Sequence, residues 1–241
     1  MNTCIQICSG QEWKTIKKIT EIDHNNVSSD PLGEFFEHKI GNNNYIFFHS
    51  GPTKTRAAAA CQHAIDKWGP NLLINIGTCG GVSLDLKILD IIIADKTIQY
   101  DCLDFIDMSG EKYYPPTIVD IDNSLLPLES IKTPFKRGTI GTGDQDLTYE
   151  KALELREDNF IAVDWESGAI SLVCSINKVK CLILRGVSDI PKSEDHNDRE
   201  QQANDYQSRP LYTPDTFTWL NMYNKLYLGD KNGKSYLFTR A

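Results

Sequence analysis

The segment from Phe160 to Val187 constrains the fold of this chain more than any other. A short apolar strand, Phe160 to Val163, runs through Asp164-Trp165-Glu166 into a helix whose apolar residues Ala169, Ile170, Leu172, Val173 and Ile176 follow helical spacing; a second strand, Cys181 to Val187, comes next. That order reads as a β-α-β crossover, which implies two parallel strands close together in one sheet, joined with right-handed sense. Parallel strands end at one edge. Asp164, Glu166, Ser188 and Asp189 are therefore expected around a single cleft, where α/β proteins bind their ligands.

The same pattern recurs along the chain. Thr3 to Cys8 is a strand, followed by Ser9-Gly10-Gln11-Glu12 and a lysine-rich amphipathic segment. Glu34 to Phe48 reads as a hairpin, and Thr53 as the cap of a helix from Arg56 to Trp68 that stops at Gly69-Pro70. Leu72 to Ile76 is a strand running into a glycine turn, Gly77-Thr78-Cys79-Gly80-Gly81, whose glycines let backbone approach a ligand. Strands are also expected at Ile88 to Ala94 and at Arg137 to Ile140, the latter ending in Gly141-Thr142-Gly143-Asp144. Ser193 to Pro214 is polar and reads as a surface loop or lid, and Phe217 to Leu226 as a closing helix. One domain over 1–241 suffices.

Composition narrows the function. A formal charge of −8, with no cluster of Lys or Arg, disfavours a nucleic-acid or anionic-membrane surface. Apolar stretches are too short to cross a bilayer. The seven cysteines contain no C-x-x-C pair, and Met1-Asn2-Thr3-Cys4 lacks a basic region leading into an apolar one, so a soluble cytoplasmic protein with reduced thiols is expected. No cofactor or metal is expected: His24, His38, His49, His63 and His196 show no paired-ligand spacing, and the glycine turn lacks the G-x-G-x-x-G spacing of a dinucleotide site.

Four motifs in order, Asn75-Ile76-Gly77-Thr78-Cys79-Gly80-Gly81, Gly141-Thr142-Gly143-Asp144, Val163-Asp164-Trp165-Glu166-Ser167-Gly168-Ala169 and Arg185-Gly186-Val187-Ser188-Asp189, resemble those of the nucleoside phosphorylase superfamily. The chain looks most like the 5'-methylthioadenosine/S-adenosylhomocysteine nucleosidases, over its length to about Ile190. The resemblance implies an α/β fold, a three-layer α/β/α sandwich around a mixed, largely parallel and partly closed sheet. It also implies cleavage of the bond between a purine and its sugar. Asp189 then protonates the departing base, with Ser188 orienting it, and Glu166 accepts hydrogen bonds from the ribose hydroxyls. Glu12 activates water, a match that rests on its spacing from the first strand; an exposed first-turn glutamate is the plainer alternative. Arg185 holds Glu166 or a sugar hydroxyl, unless it pairs with a structural acid. Thr78, Cys79 and Gly80 form the floor under the nucleoside, and Leu147 meets the purine edge through its backbone. Asp146 stands where the family often has an aromatic, and Trp165 where it usually has methionine; Trp165 narrows the sugar face or packs in the core.

Water and phosphate remain the competing nucleophiles. Phosphorylases with this motif carry an arginine two residues before the first glycine of the turn, where this chain has Asn75, and Glu12 and Glu166 would repel phosphate. Arg56, near a helix start, keeps the phosphorylase alternative open. A non-catalytic purine nucleoside-binding homologue is a second alternative. The 5' substituent is left undetermined by the sequence; Phe105 and Tyr113 are candidate pocket aromatics, with core or interface packing as the alternative, and by resemblance a second copy of the chain completes the pocket in a homodimer.

Overall fold

Each strand expected from the sequence forms, most with altered ends. In the computed structural model, residues 2–40, 43–102, 117–126 and 134–191 are described; the expected lid, the closing helix, Phe105 and Tyr113 lie outside them. Strand β1 (Thr3–Ile7) leads into helix α1 (Gly10–Ile19), and β2 (Ser28–Asp30), β3 (Gly33–Ile40) and β4 (Asn43–His49) form an antiparallel meander. Helix α2 (Lys54–Trp68) follows, then β5 (Leu72–Gly81), β6 (Ile91–Gln99), β7 (Val119–Asp120) and β8 (Phe135–Thr142). Helix α3 (Tyr149–Glu157), β9 (Phe160–Asp164), α4 (Ser167–Ile176) and β10 (Lys180–Asp189) complete the described elements.

The sheet is mixed and has two parts. Strand β5 pairs with β10, β10 with β6, β6 with β8, β8 with β9, and β9 returns to β5, closing a five-stranded ring. From β5 an arm extends through β1, β4, β3 and β2. Ile5, Phe47, Ile74, Ile92 and Leu184 are among the buried apolar residues of one core shared by arm and ring.

Two expectations are corrected here. Gly77 to Gly81 is not a turn: β5 continues through it, paired with β10 as far as Gly80. Moreover, β9 and β10 are not parallel neighbours. Strand β10 runs parallel to β5 while β9 runs antiparallel to it, and β5 lies between them. The register explains the path: β9 ends near the carboxyl end of β5, since Val163 partners Gly80, so α4 carries the chain back to the level of Leu72, where Lys180 starts the return. Ring closure, not the local pattern, decides that direction.

Candidate active site

The closed ring leaves a gap at one edge of β5. Leu72 to Asn75 pair with β1 there, and Gly80 and Gly81 pair with β9. Both partners lie opposite β10, which covers the other edge along the same residues. Among the described residues no strand pairs with Ile76 to Cys79 on this edge. Because β1 runs with β5 and β9 against it, their carboxyl ends meet head-on across the gap. A buried unpaired amide is unfavourable, so the gap demands acceptors.

Glu12 supplies one. Its Oε1 accepts the Thr78 backbone N–H at 2.8 Å and the Thr78 hydroxyl at 2.9 Å. Ser9 caps α1 by accepting the Glu12 N–H at 3.1 Å, and Glu12 Oε2 accepts the Ser9 N–H at 3.2 Å, a reciprocal capping box. Glu12 is thus a first-turn glutamate, but it is 5% exposed and spans from α1 to the middle of β5. Burial pushes its carboxyl above the usual range, against the pull of Arg185 and the Thr78 hydrogen bonds.

Beneath the gap lies a buried charge network. Arg185 is 1% exposed; its Nε donates to Asp164 Oδ2 at 2.6 Å and its Nη2 to Asn75 Oδ1. Asn75 donates onward to Gln6 O at 3.0 Å, and Gln6 to Ala57 O at 2.9 Å. Asp164 Oδ1 accepts Thr142 Oγ1 at 2.7 Å, the Glu166 N–H at 3.2 Å and the Ser167 N–H at 3.1 Å, while the Ser167 hydroxyl donates to Oδ2. Burial opposes charge on Arg185, yet Asp164 and the other anions nearby keep its pKa above the ordinary value. Its side-chain partners are Asp164 and Asn75, with Nη1 donating to Leu184 O at 3.1 Å, so of the alternatives expected for Arg185 the pairing with a structural acid is the one that forms. Gly77 makes room for it, since a Cβ there would stand 2.9 Å from Arg185 Nη1.

Glu166 sits at the mouth, at the start of α4, where its Oε1 accepts the Thr53 N–H at 3.2 Å. Burial and then repulsion from Asp164 push its carboxyl up to about 8; Arg185 opposes this, and Glu12 adds to the repulsion. Thr53 occupies the N-cap position of α2, but its side chain makes no capping hydrogen bond, which corrects the expected role.

Across β5 stand Ser188 and Asp189. Asp189 is half-buried and partners Gly80 in register; Ser188 Oγ lies 2.6 Å from Asp189 Oδ1 and 3.1 Å from Cys79 O. A Cβ on Gly80 would meet Leu147 Cδ2 at 3.0 Å and Asp189 Oδ2 at 3.3 Å, so the missing side chain is what lets these groups converge. Thr78 and Gly80 share one face of β5, which puts Glu12, Leu147 and Asp189 on the same side of the strand. Cys79 lies on the other face, buried, its thiol pushed well above the usual range chiefly by burial. Trp165 is 36% exposed beside Glu166, not packed in the core. Arg56 is exposed; its Nε donates to Ser50 O at 3.2 Å.

The structure thus brings Glu12, Thr78, Glu166, Gly80, Leu147, Ser188 and Asp189 around the middle of β5. The sequence places Asp164 at the cleft without assigning it a role, and gives no role to Thr142 or the Thr53 amide. An aspartate at a strand end, three residues before a helix starts, is a signal for a side chain that accepts first-turn amides and could have identified Asp164; the Thr53 amide has no such signature.

The chain is similar to known proteins over most of its length. The Phosphorylase superfamily profile matches residues 3–211. A 5'-methylthioadenosine/S-adenosylhomocysteine nucleosidase of Aeromonas salmonicida is 31% identical over 176 residues, 67% of this chain and 75% of that protein. An aminodeoxyfutalosine nucleosidase of Campylobacter jejuni is 28% identical over 187 residues, 73% of this chain and 78% of that one. The crystal structure of the Campylobacter jejuni 5'-methylthioadenosine/S-adenosyl homocysteine nucleosidase superimposes with a TM-score of 0.71 at 25% identity, covering 94% of this chain and all of that one.

Proposed function

The chain belongs to the phosphorylase superfamily, among its N-glycosyl hydrolases, and from that premise we propose that it cleaves the glycosidic bond of an adenosine-type nucleoside such as 5'-methylthioadenosine or S-adenosylhomocysteine. The observation that carries this reading is the convergence of Glu12, Glu166 and Asp189 on the carboxyl-terminal half of one strand, with Glu12 buried, Glu166 half-buried and both carboxyls raised. Groups held at shifted pKa values in one place are the mark of acid-base work.

In the proposed reaction Asp189 gives a proton to the purine, held in place by Ser188, and the base leaves as a neutral molecule. Glu166 accepts the ribose hydroxyls and favours the cationic character that grows on the sugar. Glu12 takes a proton from the attacking water. Leu147 and Gly80 lie against the base, and Trp165 borders the sugar. Burial raises the Glu166 carboxyl, so the carboxylate that its sugar-binding role needs is favoured as pH rises.

Asn75 favours water over phosphate. Its Oδ1 is committed to Arg185, and a second guanidinium at this fully buried position would face the first. The test is incubation with a panel of purine nucleosides, including 5'-methylthioadenosine, S-adenosylhomocysteine and aminodeoxyfutalosine, with and without phosphate. Free sugar released without phosphate is expected; sugar 1-phosphate formed only with phosphate would replace this reading with the phosphorylase, and binding without turnover would replace it with a nucleoside-binding protein.

A further inference from the structure

Thr53 adopts φ 84° and ψ 151°, a backbone conformation that in practice belongs to glycine and is least suited to a β-branched side chain. Helix α2 gains nothing from it, because the threonine hydroxyl caps no amide. The surroundings over-determine it instead. Pro52 fixes the preceding residue, Arg56 bonds back to Ser50 O at 3.2 Å, and Thr53 O accepts the Ala57 N–H at 3.0 Å.

The values of φ and ψ at one residue set the relative direction of its own N–H and the next. Here the Thr53 N–H donates to Glu166 Oε1 at 3.2 Å, and the Lys54 N–H to Asp144 Oδ1 at 2.9 Å. Consecutive amides therefore hold two carboxylates from different loops, one after β9 and one after β8. An ordinary helical or extended Thr53 would turn one amide away from its acceptor. We propose that Thr53 is a positioning residue whose strained backbone fixes the Glu166 carboxylate at the mouth of the site. Its bearing on turnover rests on the nucleosidase reading of Glu166; the backbone role itself does not.

Two variants and three readouts test this. Thr53→Gly relieves the strain and loosens the amide, whereas Thr53→Ala keeps a Cβ at positive φ, and with it most of the strain, while removing the hydroxyl and the γ-methyl. Thr53→Gly is expected to raise Tm by about 2–4 °C, to lower kcat about tenfold with little change in KM, and to move the Glu166 titration upward in carboxyl NMR of the unliganded protein. The upward direction follows from weakening an N–H that favours the carboxylate. The other charged or titratable groups facing Glu166, namely Asp164 of β9, Arg185 of β10, Glu12 of α1 and Cys8 after β1, are unchanged in both variants. Thr53→Ala is expected to match the parent protein in all three. Thr53→Gly with unaltered kcat and Glu166 titration overturns the proposal, as does Thr53→Ala losing as much activity as Thr53→Gly. A parent protein that cleaves no nucleoside sinks the functional reading instead, and the NMR titration still decides the backbone role.

Discussion

Asp164 and Glu166 are two residues apart, both largely withdrawn from water, and treated in opposite ways. Asp164 receives hydrogen bonds from Thr142, Glu166, Ser167 and Arg185 and stays at the floor. Glu166 receives the Thr53 amide, and its proton is held up to about 8. A carboxylate surrounded by donors is structural; one left short of them keeps its reactivity. Floor and mouth should then respond differently to mutation, stability failing at one and turnover at the other.

The sharpest break is expected at the mouth. Asp189→Asn and Glu12→Gln should each lower kcat by about 10²–10⁴-fold, the range of general acid-base catalysis, with Tm within a few degrees of the parent. Retained activity in a folded variant would remove that residue from the proposed chemistry. At the floor, Arg185→Met should cost about 3–5 kcal/mol in urea unfolding, because Asp164 is left charged and unpaired. A loss below about 1 kcal/mol would make the floor a bystander.

Glu166→Gln sharpens the contrast through pH. At low pH Glu166 is protonated in both folded and unfolded chains. As pH rises from 4.5 toward about 8 only the folded chain keeps the proton, so the parent loses stability across that window and levels off above it. Glutamine mimics the protonated form. The variant should gain on the parent with rising pH, by about 1–3 kcal/mol at pH 8 after allowance for solvent screening, while losing turnover. Equal pH dependence in thermal melts of both proteins would contradict the assignment. A smaller effect is expected from Ser9→Ala, about 1 kcal/mol for the lost cap, with a modest drop in kcat as the seat of Glu12 loosens. Smallest is Lys54→Ala at the rim, where pairing with Asp101 at 2.5 Å is partly solvated: below about 1 kcal/mol, and vanishing in salt titrations.

How far sequence reaches depends on the range of the interaction. The strands were legible from runs such as Leu72 to Ile76 because β-branched and aliphatic residues mark them locally. The extension of β5 through Gly77 to Gly81 was not, since glycines that usually signal a turn serve here to admit Arg185 and Leu147 to a strand. The relation of β9 to β10 is not legible either, because a strand, a helix and a strand read alike whether the two strands lie side by side and parallel or meet a third strand in opposite directions. Glu166, Ser188 and Asp189 stood out through their motifs. The partner of Arg185 could not, because Asp164 and Glu166 are both within reach of a strand-end arginine in one dimension, and only three-dimensional packing chooses.

The interruption beside β5 also sets a length scale. Glu12 hangs from a segment that follows β1, and Glu166 from one that follows β9, and both are indexed to a single strand whose rise is about 3.3 Å per residue. Deleting one residue between Asn75 and Gly80 would draw the two anchors together by that increment and reverse which way every later side chain points. The interval between these groups is therefore adjustable only in whole steps, so insertions and deletions in this stretch should be lethal to the site where conservative exchanges are not.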